Sequence, residues 1–210
     1  RQRQMCIRDR GRESELTHHD WITDTTVHDG SAWAYMKNSK YKTTTDLVHY
    51  LIDNVSKNGY MLLNIGPKPD GTIPEEDKNL LEGIGNWLDV NGEAIFETET
   101  WDQYGEGPTK MNEAGPFSDN RAKLIYTAKD FRFTTKDNFL YATALGWPSK
   151  DFTIESIYKL FDNEIERVEL LGSTDKVEWK HTRDGLHITR PDNKPCEHAY
   201  SFKITRKEYL

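Results

Sequence analysis

Hydrophobic and polar positions follow two different periods along this chain, and the change of period divides it into two regions. Residues 43–59 and 74–92 place apolar side chains at helical spacing. Between them, residues 60–66 form a short, nearly continuous apolar run, which is typical of a strand covered by helices. From residue 122 onward apolar and polar residues alternate with a period of two, which predicts strands joined by short turns.

Local signals frame both predicted helices. Thr and Asp residues precede the first helix, and Gly59 is expected to close it. Pro74 suits the first position of the second helix, and Asn91-Gly92 is expected to end it. The order helix, strand, helix predicts a parallel α/β sheet, and the Thr-rich residues 20–27 predict an earlier strand of that sheet.

Two or three helices and two strands cannot close a parallel sheet by themselves. We therefore expect residues 11–100 to be the C-terminal part of a larger α/β domain, with its apolar helix faces exposed and the chain poorly soluble. The expected exposed faces are Leu47, Leu51 and Val55 on the first helix and Leu80, Ile84 and Trp87 on the second.

The second region differs in composition and in its hydrophobic pattern. Residues 101–120 are rich in Gly, Pro and polar residues and are predicted to be a linker. Residues 121–210 predict an antiparallel β-sandwich of roughly eight strands. The predicted fold class is therefore α/β plus all-β.

Composition narrows the range of partners. The 210 residues carry a net charge of −7, and acidic and basic residues are interleaved. The sequence has no basic stripe of the kind that binds nucleic acid, so a nucleic-acid partner is not predicted. No apolar run approaches the roughly 20 residues that a membrane helix needs. Cys6 and Cys196 are predicted to be free thiols. His18 and His19 are adjacent, so on a strand they point to opposite faces, and no metal site is predicted there.

The basic segment RQRQMCIRDR, residues 1–10, shows no periodicity. We interpret it as sequence that is not native to the protein. The alternative is a short basic tail.

Residues 58–96, NGYMLLNIGPKPDGTIPEEDKNLLEGIGNWLDVNGEAIF, resemble the end of the catalytic domain of glycoside hydrolase family 29, the α-L-fucosidases. WITDTTV with SAWAY, and ELLGSTDKVEWKHTRDGLHITRP, resemble two further segments, so the likeness covers about residues 11–205. The resemblance implies the C-terminal portion of a (β/α)8-like barrel followed by an antiparallel β-sandwich. Residues 60–66 would be the final barrel strand, and the loop after it would open on the catalytic face.

The resemblance also implies a retaining exo-α-L-fucosidase that needs no metal or cofactor and acts on a fucosylated glycan or oligosaccharide. Such enzymes use two carboxylates about 5 Å apart. The family's Asp nucleophile has no match here, so the chain alone is expected to be inactive. The acid/base position falls near Asp9, inside the segment interpreted as non-native. Glu13 and Glu15 are the nearest other carboxylates, and the alternative is that both are solvated loop residues.

Two residues are expected to bind substrate. Trp33 matches a family aromatic that packs near the C6 methyl of fucose, and its alternative role is packing at the barrel rim. Asn64 lies where a barrel strand ends and is expected to orient groups of the site, and its alternative role is to bond loop backbone.

A second function remains open: a non-catalytic carbohydrate-binding β-sandwich with a degenerate barrel remnant. Family membership would place the protein in the periplasm or outside the cell, or in the lysosome of a eukaryote.

Overall fold

Strands and helices alternate in the first region of the computed structural model, which describes residues 12–30, 33–111 and 124–207. The two strands are parallel, and they pair in register from Trp21 with Gly59 to Thr26 with Asn64. The predicted parallel sheet is thus confirmed. The elements of this region are β1 (Trp21–Thr26), α1 (Thr44–Ser56), β2 (Gly59–Asn64) and α2 (Glu75–Asn91).

The ends of α1 follow from local chemistry. Thr43 and Asp46 form a capping box, in which each side chain accepts a hydrogen bond from the other residue's backbone N–H. At the other end, Asn58 takes a left-handed conformation (φ 71°), so the chain leaves the helix before the expected Gly59. Gly59 instead begins β2, where a Cβ would lie 2.4 Å from the ring of Trp21.

The second region is the predicted antiparallel β-sandwich. Its strands are β3 (Glu99–Glu106), β4 (Phe131–Lys136), β5 (Phe139–Ala144), β6 (Phe152–Ile154), β7 (Ile165–Leu170), β8 (Trp179–Thr182), β9 (Gly185–Ile188) and β10 (Tyr200–Arg206). They form a five-stranded sheet in the order β3-β4-β5-β10-β7 and a three-stranded sheet in the order β6-β9-β8.

The prediction of a linker is wrong for residues 101–106, which belong to the edge strand β3. This strand pairs with β4 on both sides of a register shift between Thr100 and Gly105. A Cβ on Gly105 would lie 2.3 Å from the carbonyl oxygen of Phe131, so the glycine that suggested a loop is needed for strand pairing. The alternation that begins at residue 122 predicts a strand over residues 122–128. The structure describes residues 124–128 of this segment, and they form no strand.

The five-stranded sheet is covered on both faces. One set of alternating side chains, including Phe133, Ala142 and Phe202, faces the smaller sheet and fills the sandwich core. The other set faces the helices, where the Thr134 hydroxyl donates to the carbonyl of Ala94 and the Tyr141 hydroxyl donates to Glu93. The sandwich therefore provides one wall of a second core.

That second core overturns the expected exposure of the two helices. Leu47 is 0% exposed and Trp87 is 2% exposed, while Leu51 and Val55 pack against the same cluster. The Trp87 indole N–H donates to the carbonyl of Ala199, at 2.9 Å. The expectation failed because the helices pack on each other and on the sandwich. The buried members of the cluster are Val27, Leu47, Val48, Ile52, Leu80, Ile84, Trp87, Ile95, Leu145 and Ala199.

The open apolar surface of this region lies on the sheet instead. On the face of β1 and β2 that points away from the buried Thr23, Ile22 is 38% exposed, Tyr60 is 56% exposed and Leu62 is 55% exposed. Ile22 pairs with Tyr60 in the parallel register. We call this surface the open sheet face.

A buried ionic cluster joins the two regions. The Asp53 carboxylate of α1 accepts from Arg12 at 2.6 Å, from Lys57 at 2.9 Å and from Arg132 of β4 at 2.7 Å. Burial alone would raise the pKa of Asp53, but the three cations outweigh it and hold the pKa well below its usual range. Arg132 also lies 5.1 Å from the ring of Tyr126. We call these four charged residues the Asp53 cluster.

Candidate functional site

The carboxyl ends of β1 and β2 meet at one edge of the sheet, because the strands are parallel and Thr26 pairs with Asn64. In α/β sheets and barrels, ligands bind at this edge, on the loops that follow the strands. The loop after β1 runs over residues 27–42, and the loop after β2 begins at Ile65. These two loops build the candidate site.

The longer loop is fastened at its base. The backbone N–H of Asp29 donates to Lys40 at 2.8 Å, and that of Lys42 donates to Val27 at 2.9 Å. The Lys42 ammonium group also donates to the carbonyl of Thr26 at 2.8 Å and to the Thr25 hydroxyl at 3.0 Å. The loop base is therefore fixed on β1.

Trp33 and Asn64, the two predicted binding residues, are brought together at this edge. The Asn64 side-chain amide donates to the carbonyl of Trp33, at 2.9 Å. Trp33 itself is 45% exposed, so a large part of its side chain is open to solvent. Asn64 thus bonds loop backbone, which was its alternative role, and through that bond it positions Trp33.

Gly66 lets the loop lie against the end of β2. A Cβ at this position would be 2.8 Å from the backbone nitrogen of Tyr35 and 3.1 Å from His28 Nε2. Contacts below 3.0 Å to backbone cannot be relieved by a side-chain rotation, so the close approach requires glycine. The Gly66 N–H donates to the Asp77 carboxylate of α2 at 3.1 Å, which ties the second loop to the helix.

Beneath the loop lies a buried polar layer that the sequence analysis missed. His28 is 0% exposed, and neither of its ring nitrogens has a hydrogen-bond partner among the described residues. Its ring lies 4.8 Å from that of Tyr41. Burial, and next the Asp77 carboxylate, raise the pKa of Tyr41 to about 12. The sequence offered no motif for His28, only its position: a histidine two residues after one strand, with a glycine two residues after the neighbouring strand.

Glu13 and Glu15 are not brought to this edge. Lys57 lies just before β2 begins, and its ammonium group donates to the backbone carbonyl of Glu13 at 3.1 Å. Glu15 lines a shallow cleft together with Tyr104 and Arg132. The six residues of β2 rise about 3.3 Å each, so this end of the strand is some 17 Å from Asn64. Their positions do not support either residue as the acid/base group.

Asp9, together with the rest of residues 1–10 and Cys6, lies outside the described residues. The acid/base assignment near Asp9 therefore stays a prediction. His18 and His19 are both exposed. Across residues 12–30, 33–111 and 124–207, no group of three or more His, Cys, Asp or Glu is arranged to hold a metal ion.

The edge therefore presents one exposed aromatic ring, a positioned loop and a rigid polar base. An aromatic ring beside polar groups suits a small polar ligand that has one apolar face. Hydrolysis of a glycoside also requires two carboxylates on either side of the bond. Among the described residues assembled at this edge, no such pair of carboxylates is present.

Two family models match this sequence. The model described as Alpha-L-fucosidase matches residues 1–93, and the model described as Alpha-L-fucosidase C-terminal domain matches residues 123–205. The plasma alpha-L-fucosidase of Pongo abelii is 31% identical over 205 residues, and the tissue alpha-L-fucosidase of Rattus norvegicus is 29% identical over 206 residues. Each match covers 94% of this chain and 40% of the relative, so the chain spans about two fifths of their length.

Solved structures agree with the fold. The Thermotoga maritima alpha-fucosidase in complex with fucose aligns with a TM-score of 0.70 at 27% identity, over 92% of this chain and 41% of that one. The same enzyme with a mechanism-based inhibitor gives 0.72 at 26% identity, over 92% and 42%. Alpha-L-fucosidase isoenzyme 1 from Paenibacillus thiaminolyticus gives 0.69 at 23% identity, over 94% and 45%, and supports the fold alone. The chain thus has the end of a (β/α)8-like barrel followed by a β-sandwich.

Proposed function

This chain belongs to the α-L-fucosidase family, glycoside hydrolase family 29, and on that basis we propose that it is part of a retaining exo-α-L-fucosidase. The substrate is a glycan or oligosaccharide that ends in an α-L-fucosyl residue. The reaction is a double displacement at the anomeric carbon of that residue. The products are L-fucose and the shortened glycan.

In this mechanism one carboxylate attacks the anomeric carbon while a second carboxylic acid protonates the leaving oxygen. The second group then removes a proton from the water that releases fucose. No residue of this chain matches the family's Asp nucleophile, so the 210 residues alone bind substrate but do not hydrolyse it. The acid/base carboxylate belongs near position 9.

The observation that carries the proposal is the bond between Asn64 and Trp33 at the carboxyl edge of β1 and β2. It holds an exposed aromatic ring where a barrel enzyme binds its substrate. In the proposed role, the Trp33 ring covers the apolar side of fucose near the C6 methyl. Asn64 acts through the loop and keeps that ring in place, and Gly66 provides the space for it.

The test is to express the longest reading frame that contains this chain in its source DNA and to assay it with 4-nitrophenyl α-L-fucoside. We expect hydrolysis, and ¹H NMR should detect the α-anomer of fucose as the first product. Inversion, or no hydrolysis by a folded protein, would contradict the proposal. The 210-residue chain assayed alone is expected to show no turnover.

A matched pair of variants tests the binding residue. Trp33→Ala should raise KM more than it lowers kcat, because the ring contacts substrate and transition state alike. Phe96→Ala removes an aromatic side chain that is 58% exposed at another place and should leave both constants unchanged.

For compartment, the proposal is a periplasmic or extracellular protein, or a lysosomal one in a eukaryote. It is supported by relatives that include plasma fucosidases. In the portion of the chain that the structure describes, no helix has the length and apolar character to cross a bilayer.

A further inference from the structure

A second candidate binding site lies in the sandwich. A cleft of about 790 Å³ opens at the end of the sandwich where β3 lies beside the segment between β6 and β7. None of the residues that line it belongs to β1, β2 or the loops that follow them. Small-molecule sites have volumes of about 300 to 1,000 Å³, so the cleft has the size of a ligand site. We call it the sandwich cleft.

The floor of the sandwich cleft is the apolar core of the domain. Leu140 is 1% exposed and Ile204 is 0% exposed, and both line the cleft together with Ile157 and Ile165. The cleft therefore interrupts the packing between the two sheets at this end. A ligand that enters it meets a rigid apolar surface, because the side chains below are fixed by the rest of the core.

The loop beside the cleft, residues 155–164, is anchored at several points. The Glu106 carboxylate accepts from the backbone N–H groups of Glu155 at 3.1 Å and of Ser156 at 2.7 Å. The Ser156 hydroxyl donates to Gln103 at 2.9 Å, and the Lys159 N–H donates to the carbonyl of Thr182 at 2.8 Å. The geometry of the loop is therefore set before any ligand binds.

This anchored loop presents large apolar side chains to solvent. Tyr158 is 50% exposed, Leu160 is 68% exposed and Phe161 is 67% exposed, and all three line the cleft. Trp101 lines it from β3, and its ring meets Phe133 edge to face at 5.0 Å. Exposed apolar groups on a fixed loop at the mouth of a cleft indicate a binding surface.

Polar groups stand beside these rings. The Arg206 guanidinium is half-buried. It donates to the backbone carbonyls of Asp137 and Asn138 at 3.4 and 3.5 Å. Burial lowers the pKa of Arg206, and Asp102 opposes that effect. Nε2 of His181 is buried at the cleft and has no hydrogen-bond partner among the described residues.

We propose that the sandwich cleft binds a neutral oligosaccharide, with a sugar ring stacked on Tyr158 and hydroxyl groups bonded to Asp102 and Arg206. A sugar ring has one apolar face and a rim of hydroxyls, which matches an aromatic ring set beside a carboxylate and a guanidinium. A protein partner would need a contact of about 1,200 Å² or more, and a cleft of about 790 Å³ suits a small ligand better.

The choice of an oligosaccharide rests on the proposed function, because a fucosidase acts on a branch of a longer glycan. The sandwich cleft then holds a part of that glycan other than the fucose being released. Binding there raises the local concentration of fucosylated branches near the enzyme by linking two weak contacts.

The experiment is an NMR titration of the whole ¹⁵N-labelled chain with 2′-fucosyllactose and, separately, with lactose. The reporter is the indole N–H of Trp101, assigned with Trp101→Phe. We expect its signal to move with a millimolar Kd, and Tyr158→Ala should weaken that Kd about tenfold. Tyr60→Ala is the matched control, since Tyr60 is similarly exposed on the open sheet face, and it should leave the Kd unchanged. If Tyr158→Ala disturbs the fold, Asp102→Asn at the exposed rim replaces it and should weaken binding about fivefold.

The outcomes separate this proposal from the proposed function. If the Trp101 signal does not move with either sugar, or moves equally in wild type and Tyr158→Ala, the sandwich cleft is not a sugar site. If Trp33→Ala abolishes the shift, the sugar is bound at the barrel edge and the proposal also fails. Self-association of the chain that Tyr158→Ala removes would show that a second copy occupies the cleft. Fucoside hydrolysis by the longer reading frame is measured independently of all these results.

Discussion

The two regions of this molecule complete their cores in different ways. The sandwich fills its core from its own two sheets, with side chains such as Phe133, Ala142 and Phe202. The barrel-derived region has one two-stranded sheet, and it closes its core with Leu145 and Ala199 from the sandwich. Its other surface, the open sheet face, has no such cover in the described structure.

The difference indicates that the barrel-derived region depends on the sandwich to complete its core. The sandwich depends less on the barrel-derived region. Three kinds of contact make the connection: apolar packing of the helices, the bond from Trp87 to Ala199, and the Asp53 cluster. If these contacts join the regions tightly, the described chain should unfold in one transition. Changes at the junction should then cost far more than changes on the open sheet face.

The largest effect is expected from Asp53→Asn. The substitution leaves Arg12, Lys57 and Arg132 buried without their counter-charge, and losing one partner of a buried ion pair costs about 3–5 kcal/mol. Urea unfolding followed by circular dichroism measures the loss. The control is Asp89→Asn, an exposed position on α2, which should change stability by less than about 0.5 kcal/mol. Equal effects of the two variants would show that the cluster does not join the regions.

Acid should produce a similar loss in the unchanged chain. The pKa of Asp53 is lower in the folded state than the roughly 3.9 of an unfolded Asp, so its contribution is complete above that value. The contribution is lost as the pH falls from about 4 toward the folded pKa. Stability measured between pH 7 and pH 2 should fall less steeply for Asp53→Asn than for the original chain. Parallel profiles would assign acid sensitivity to other carboxylates.

A smaller effect is expected from Trp87→Phe. A smaller aromatic ring remains, but the buried carbonyl of Ala199 loses the indole donor and keeps only the weak thiol donor of Cys196, which costs about 1–3 kcal/mol. Thermal unfolding followed by Trp fluorescence and by far-UV circular dichroism should still give a single, shifted transition. Two separate transitions in this variant alone would mean that this one bond couples the regions.

The smallest effect is expected on the open sheet face. Leu62→Ala removes a side chain that is 55% exposed and should change the free energy of unfolding by less than about 0.5 kcal/mol. The matched change Leu47→Ala, at a fully buried position of α1, should cost about 2–5 kcal/mol. A large loss for Leu62→Ala, measured by urea unfolding, would show that another surface covers this face in solution.

Much of the fold could be predicted because its signals are local. The apolar spacing of the helices, the run at residues 60–66 and the alternation in the sandwich each lie within one element. β3 was missed because Gly105 and its polar neighbours are typical of loops, and only the pairing with β4 explains them. The burial of the helices was missed because its cause, the sandwich wall, begins with β4, 40 residues after the end of α2.

The candidate site shows the same limit. Trp33 and Asn64 could be selected from their places after two strands and from the family resemblance. The hydrogen bond between them joins residues 31 apart, so it became visible only in the structure. His28 carries no motif, and its burial depends on the loop that folds over it. The Asp53 cluster is equally hidden, because charged residues at positions 12, 53, 57 and 132 show no pattern in sequence.

The Asp53 cluster also sets an order for the folding of a chain during its synthesis. Lys57 emerges from the ribosome just after Asp53, but Arg132 follows 79 residues later. At about 5–20 residues per second, that gap lasts several seconds. During this time α1 carries a carboxylate that lacks one of its cations and an apolar stripe that has no wall. The nascent barrel end therefore cannot complete its packing during this interval, in which chaperones of the cell can bind it.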